Sequence, residues 1–500
     1  MIRDIKKFPQ GLYDLLVIGG GINGAAIAHL AALNGLKVAL IEKGDFAGGT
    51  SSKSTKLVHG GIRYLEHFDF GLVKEALKER FIQLHAAPHL VKSLPFIIPV
   101  YRGDKRPLWM MKFGVWLYDF FSGPYSIGRH RSLTHQDIVN LEPKLKSEDL
   151  LGGALYYDAQ MDDARLCLEN VLMAERYGAH AANYVEAVEL LKENGKVIGV
   201  KARDLITKEV FKIRAMKTIA TTGPWTNEFL KLDNRTAKKK IRTTKGVHIV
   251  YKGKLTQKAV LITSKHDDRV FFVIPWMGNS LIGTTDTNYI QSPDDVQTSQ
   301  KDIDYLLKET KRVFPAAHID EKNIITTFAG LRPLVRRGGS PSAVTRQHTI
   351  DETYSGLVVV IGGKYTTYRK VAEDTLKKIT KKQLKNTEKH FTVYGSGKIK
   401  EDPKDIAKKY HVSDETVEYL MGFYGARYMD IVDLIKENNA LKEPLCSCSK
   451  AIKAQVVYSI ETEMALKEDD VIARRLSLEY LPCPTHQCRK TIQKIIKEYF

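Results

Sequence analysis

The hydrophobic pattern changes period twice within the first forty residues. Tyr13 to Ile18 is a short apolar run of strand type, followed by Gly19-Gly20-Gly21-Ile22-Asn23-Gly24. Ile22 to Leu33 is Ala-rich and helical, and Asn34-Gly35 supplies a left-handed stop. A second strand, Leu36 to Ile41, ends in Glu42. Leu15 to Leu36 carries no Asp, Glu, Lys or Arg, and is about the length of the ~20 residues a membrane span requires. Its glycines and its change of period predict strand, turn and helix instead, so no transmembrane helix is expected. The opening "MIRDIKKFPQG" has no apolar run, and no signal peptide is expected.

Later segments carry equally local signals. Tyr184 to Lys192 and Val197 to Arg203 alternate like strands around Asn194-Gly195, a strong hairpin turn. Thr218 to Thr221 leads into the turn Gly223-Pro224-Trp225, Val247 to Val250 reads as a strand, and Tyr365 to Lys378 as a helix. From residue 402 the period is helical: Ile406, Tyr410, Val417 and Leu420, then Ile472 to Leu481 and Thr491 to Phe500. This predicts a separate all-α domain, 398–500, with its boundary in Gly395-Ser396-Gly397.

The first unit has the order of a dinucleotide site. Gly19 allows a tight turn, Gly21 lets the backbone approach a pyrophosphate, and Gly24 lets the helix pack close to the strand. Glu42 stands where an acid accepts hydrogen bonds from the ribose of an adenosine. NAD and FAD both use such a unit. The loop "GGTSSKSTKLVHGGIRYLEH" favours FAD, because the hydroxyls of Thr50, Ser51 and Ser52 and the nearby backbone N–H groups suit phosphate and ribityl oxygens. A polar surface loop would have the same composition.

Charge then narrows the partners. Seventy-seven Lys+Arg against 58 Asp+Glu give +19 over 500 residues, with 43% hydrophobic and 27% charged residues. This is a globular composition that favours an anionic substrate, an anionic membrane or nucleic acid. Lys238-Lys239-Lys240 with Arg242 lacks interleaved aromatic platforms, so nucleic acid is not expected. Five cysteines exclude a disulfide scaffold and fit a reducing compartment. Cys446, Cys448, Cys483, His486 and Cys488 contain enough ligands for zinc, but C-x-C followed by C-x-x-H-x-C matches no usual zinc spacing, and no metal is expected. Cys167 shares an apolar helical face with Val171 and Ala174 and reads as core.

The run "VIGGGINGAAIAHLAALNGLKVALIEKGDFAGGTSSKSTKLVHGGIRYLEHFDFGLVKEAL" resembles the N-terminal region of FAD-dependent glycerol-3-phosphate dehydrogenases. Further blocks agree in order: "DDARL", "TTGPWT", "KGVHIV", "VFFVIPWMGNSLIGTTDTNY", "AGLRPL", "AVTRQHTI" and "GGKYTTYRKVAED". The resemblance covers residues 10 to about 385; beyond 395 it rests on a basic helical region of the right length. It implies an α/β fold: a Rossmann-like FAD-binding domain of the D-amino-acid-oxidase type with an interleaved α+β substrate-binding cap, plus the C-terminal all-α domain. The oxidoreductase domain would span 10–390, with FAD-binding parts at about 10–90, 160–235 and 330–390. The cap would come from about 90–160 and 240–330.

The resemblance also assigns roles. Arg63, Arg332, Arg346 and Lys364 would surround an anionic substrate, with Tyr64 and Thr284 beside them. Arg332 lies in an otherwise uncharged run from Ile324 to Val335, and an embedded charge needs a partner such as a phosphate. A histidine on an apolar strand is commonly a satisfied core residue; the resemblance instead places His248 at the substrate hydroxyl, where neutral imidazole accepts a proton or binds as a ligand. Thr285 and Asp286 complete "GTTD", either a plain turn or part of the pocket. Gly223, Trp225, Gly363, Lys364 and Thr366 would lie against the cofactor, with the helix after Gly362-Gly363-Lys364 aiming its N-terminus at the flavin.

The implied reaction oxidises sn-glycerol 3-phosphate to dihydroxyacetone phosphate by hydride transfer to FAD, with electrons passing to a membrane quinone. The alternatives are a glycerol-3-phosphate oxidase using oxygen and an amine-oxidising flavoenzyme of the same fold. The expected location is cytoplasmic, peripheral on the inner face of the cell membrane, with a homodimer left open. Pro107 to Phe121, "PLWMMKFGVWLYDFF", is either an interfacial helix flanked by Arg102, Lys105 and Arg106 or a buried cap helix.

Overall fold

In this computed structural model, the described residues are all except 1–2, 337–346, 381–383, 385–386, 389 and 484–486. The first strand, β1 (Leu12–Ile18), is central to a sheet. It pairs in parallel with Val210–Ala220 on one side and β2 (Val38–Ile41) on the other. The order continues to Val358–Gly362 and His348–Glu352 at one edge and to His180–Ala182 at the other. Strands covered on both faces read as continuous apolar runs, and Leu15 to Ile18 are all buried.

Helix α1 (Ile22–Leu33) is buried on nearly every side, which explains its alanine content. Its approach to β1 depends on Gly24, where a Cβ would lie 1.9 Å from the Gly19 carbonyl oxygen. The hairpin forms between Val185–Glu193 and Lys196–Asp204, with Asn194 and Gly195 both at positive φ, as a two-residue turn of this handedness requires.

A second, ten-stranded sheet is mostly antiparallel. Its central strands run in the order Ile241–Tyr251, Asn279–Gly283, Val270–Trp276, Ala259–Thr263, Val91–Tyr101 and Leu150–Met161. The long strand Ile324–Val335 pairs with Ile241–Tyr251 in a register that sets Phe328 opposite His248 and Arg332 opposite Thr244. Side chains alternate with period two, so these residues share one face.

The C-terminal part is helical, with Pro403–Tyr410, Asp414–Tyr424, Tyr428–Glu437, Lys453–Glu461 and Gln487–Tyr499 as its α-helices. The expected helix over Ile472 to Leu481 is absent. A π-helical turn, Asp470–Arg475, and a 3-10 turn, Leu478–Tyr480, are separated by Ser477 at φ 52°. Arg475 is drawn to Asp45 in the loop after β2 by contacts of 2.7 and 2.8 Å, and Arg474 reaches the same carboxylate at 2.6 Å. Arg165 and Glu463 form another buried pair at 2.6 Å. Within the Gly395-Ser396-Gly397 stretch, Gly395 is buried against the Tyr424 carbonyl and His89, whereas Gly397 is exposed.

Candidate functional site

A cavity of about 920 Å³ lies between the two sheets. At one end it is lined by Gly19, Gly21 and Glu42, and at the other by His248, Thr284 and Arg332. Glu42 accepts from the Gly20 and Gly44 N–H groups, both at 2.7 Å. Burial raises its pKa against those hydrogen bonds. A carboxylate has lone pairs beyond two bonds, so ribose hydroxyls remain within its capacity.

Thr50 and Ser51 of the hydroxyl loop line the cavity and are also tied into the protein. Thr50 donates to the Leu331 carbonyl at 2.6 Å, and Ser51 accepts from the Ile22 N–H at 2.9 Å. These hydroxyls thus tie the loop to the Arg332 strand and cap the start of α1. Ser52 is buried and does not line the cavity; its carbonyl accepts from Lys56 at 2.9 Å. Gly24 acts in packing and is likewise not a lining residue. Trp225 is a wall, with its indole N–H on Asp294 at 2.9 Å and its ring beside Gly49. Gly223, Gly363, Lys364 and Thr366 also line the cavity. The segment after Gly363 begins with a single 3-10 turn, Tyr365–Thr367, and the α-helix starts only at Tyr368. Thr366 is occupied by the His59 backbone, accepting its N–H at 3.0 Å.

His248 is fully enclosed and stacks on Phe328, ring centroids 4.9 Å apart. Its Nε2 lies 3.0 Å from the Thr55 hydroxyl, while Nδ1 has no hydrogen-bond partner among the described residues. Burial, and then the charges of Arg332 and Lys56, hold its pKa well below the ordinary 6.5. The imidazole is therefore neutral across the physiological range. Two glycines create the room: a Cβ at Gly283 would lie 2.2 Å from the His248 ring, and one at Gly246 would lie 2.2 Å from the Arg332 guanidinium.

Arg332 bonds Asp286 at 3.1 Å, Thr284 Oγ1 at 2.9 Å and the Thr285 carbonyl at 3.2 Å. The partner its apolar sequence called for is therefore supplied within the protein by the "GTTD" turn. Arg332 also lines the cavity. Lys364 Nζ sits 3.8 Å above the Tyr64 ring, and Arg63 lines the same wall. Arg346 lies outside the described residues.

Several site residues escaped sequence reasoning. Thr55 sits inside the hydroxyl loop, where no local signal distinguishes it from its neighbours. Lys56 is buried, ion-paired with Asp163 and 3.2 Å from the Tyr480 hydroxyl. Arg474 lines the cavity from the C-terminal part.

Residues 14–367 match the FAD dependent oxidoreductase family, and residues 386–500 match the C-terminal domain of alpha-glycerophosphate oxidase. A glycerol-3-phosphate dehydrogenase from Synechocystis is 39% identical, over 95% of this chain and 91% of its own. The chain belongs to the FAD-dependent glycerol-3-phosphate dehydrogenase family. An aerobic glycerol-3-phosphate dehydrogenase from Staphylococcus aureus is 36% identical over 95% of this chain and 88% of its own. The structure of the Bacillus halodurans glycerol-3-phosphate dehydrogenase complexed with FAD superposes with a TM-score of 0.82 at 29% identity, covering 99% of this chain and 92% of that one. The expected fold class and the FAD cofactor are those of this family. The cradle fits the group: Gly21 needs no side-chain room of its own within the protein beyond one contact at 3.1 Å, and opens directly on the cavity.

Proposed function

We propose that the protein oxidises sn-glycerol 3-phosphate to dihydroxyacetone phosphate and passes the electrons to a membrane quinone. The observation that carries this reading is the convergence of Arg332, Lys364 and Arg63 with a neutral, buried His248 on one cavity. Gly19, Gly21, Glu42, Trp225 and Gly363 would hold FAD, which when bound supplies the two-electron acceptor. The cations neutralise and orient the phosphate. His248 accepts the hydroxyl proton, with Thr55 fixing the ring from Nε2. The test is anaerobic bleaching of the yellow protein by glycerol 3-phosphate, and recovery of colour on adding a quinone analogue. Recovery only with oxygen, with peroxide formed, would establish the oxidase instead. Bleaching by amines and not by the phosphate ester would remove both readings.

Arg332→Ala is expected to raise KM strongly, because a charge-assisted contact to phosphate is worth about 1.5–3 kcal/mol. Steady-state kinetics with an unchanged KM would take Arg332 out of the phosphate site.

The membrane part of the proposal rests on the helix Leu108–Ser122. Val115, Tyr118 and Ser122 are buried, whereas Trp109, Phe113, Trp116 and Phe120, spaced four, three and four apart, are exposed on the other face. Trp109 is 71% exposed and Phe120 66%, and Phe68, 77% exposed, is linked to this helix through Phe70, whose ring lies 6.0 Å from that of Phe68 and 5.2 Å from that of Phe121. No helix among the described residues is long and apolar enough to cross a membrane. Each flanking cation has an acidic neighbour: Arg106 is held by Glu66 at 2.9 Å, Arg102 faces Asp149 at 3.9 Å and Lys105 pairs with Asp268, but Arg102 and Lys105 are largely exposed and would exchange these partners for anionic headgroups. We expect flotation with anionic vesicles at low salt, and loss of the salt-resistant fraction when Trp109 and Trp116 become Ser. Absence of flotation at low salt would refute the peripheral attachment.

A further inference from the structure

Four of the five cysteines meet at one point of the C-terminal part, away from the flavin cavity. Cys446 and Cys448 sit on a tight loop closed by the Leu445 N–H on the Ala451 carbonyl at 2.9 Å. Cys483 follows the 3-10 turn Leu478–Tyr480, and Cys488 lies in the first turn of the last helix, Gln487–Tyr499. All four Sγ atoms lie within 4.8 Å of one another. Cys446 and Cys448 are 2.8 Å apart, Cys448 and Cys488 3.4 Å, and Cys483 and Cys488 3.9 Å. The structure joins Cys446 to Cys488 as a disulfide.

A disulfide uses two of these sulfurs and leaves the arrival of Cys448 and Cys483 at the same point without a reason. A tetrahedral S₄ site with metal–sulfur bonds of about 2.3 Å spaces its sulfurs about 3.8 Å apart, which is the scale of this cluster. No carboxylate or imidazole among the described residues belongs to it, so the donor set is purely thiolate and selects a soft, thiophilic ion. The loop geometry does not depend on the sulfurs: the Thr491 hydroxyl bonds the Leu445 carbonyl at 3.2 Å, tying the last helix to the C-x-C loop. Around it pack Leu445, Ala451, Val456 and Ile492, all buried, and an apolar surround of this kind keeps water from the metal–sulfur bonds.

We propose that in the reduced protein Cys446, Cys448, Cys483 and Cys488 bind one Zn²⁺. Each thiol gives its proton to solvent, so four protons leave as four Zn–S bonds form. The N-terminus of the last helix at Cys488 favours the thiolate charge. Four protein ligands leave no open position, which makes the site structural. Its mechanical effect is to pin the last helix and the segment that carries Tyr480, whose ring packs on Phe328 and whose hydroxyl meets Lys56 beside the flavin cavity. The sequence argued against zinc because C-x-C followed by C-x-x-H-x-C matches no usual zinc spacing; that spacing does not report how the fold brings the two segments together. The four thiols suffice without His486, which lies outside the described residues.

The experiment uses flavin-loaded holoenzyme purified in reductant and without chelator. Elemental analysis is expected to give one zinc per chain, lost in the Cys448→Ser/Cys483→Ser double variant while the flavin stoichiometry is kept. Cobalt exchange into the unmodified protein, which does not depend on the variant folding, is expected to give thiolate-to-cobalt charge transfer and tetrahedral d–d bands. Iron in place of zinc would overturn the assignment. So would a zinc-free protein two hydrogens lighter than the all-thiol chain, with alkylation confined to Cys167, Cys448 and Cys483, which would leave the disulfide as the native state.

Discussion

Gly21→Val is expected to purify as a folded but colourless protein. At Gly19, φ is +110° and a Cβ would lie 2.6 Å from the Thr221 carbonyl, and at Gly24 it would lie 1.9 Å from the Gly19 carbonyl. Those two positions are required by the protein's own packing. Gly21 is different: its φ of −76° suits any residue, and the one neighbour of its Cβ is Ser51 Oγ at 3.1 Å. On the proposed assignment, the space a valine would take there is the one the pyrophosphate would occupy. The flavin-to-protein absorbance ratio should fall to near zero while circular dichroism stays close to that of the unmodified chain. Full flavin content in the variant would displace the assigned site. Gly24→Val, by contrast, is expected not to fold, which separates the packing glycine from the binding one.

His248→Ala is expected to lower kcat by about 10²–10⁴-fold with little change in KM, because a general base contributes mainly in the transition state. A dominant effect on KM would make His248 a substrate ligand instead. The pH profile adds a second check. Burial and the neighbouring positive charges hold the folded pKa well below 6.5. The imidazole is competent as a base at every pH above that lowered value and is lost only as pH falls through it. The acid limb of kcat/KM should therefore lie well below pH 6.5. Removing the Arg332 charge relieves part of the depression, so Arg332→Ala should move that limb upward. A limb at the ordinary histidine value in both proteins would contradict the enclosed geometry.

The nucleotide-binding half was legible in the sequence because its signals are local. The strand run, glycine turn, alanine helix and Asn-Gly hairpin each occupy a few adjacent residues, and their periods are set by backbone geometry. The chemistry end was legible only through resemblance. His248 meets Phe328 and Thr55, and Arg332 meets Asp286, through strand register and loop return over long sequence distances. The helical period over Ile472 to Leu481 misled because Arg474 and Arg475 are recruited by Asp45, more than 400 positions earlier, and this tertiary demand outweighs local propensity. Arg332 showed the same limit: its apolar setting correctly announced a partner but did not say that the protein itself provides one. The cysteine cluster depends on two loops meeting, which spacing alone does not encode.

The Asp45–Arg475 pair makes one wall of the cavity depend on residues far along the chain. The glycine turn, the hydroxyl loop and both sheets precede Arg474 and Arg475 in the chain, and without those two residues the Asp45 carboxylate beside the cavity keeps the Asn183 amide at 2.9 Å but loses both guanidinium partners. Once burial is imposed, the two guanidinium groups hold its pKa down at about 2, against the rise that burial alone would cause. A chain that stops short of this segment lacks the cavity wall contributed by Arg474 and the Tyr480 support behind it. The cradle formed by the N-terminal elements is thus walled in part by side chains from the C-terminal part.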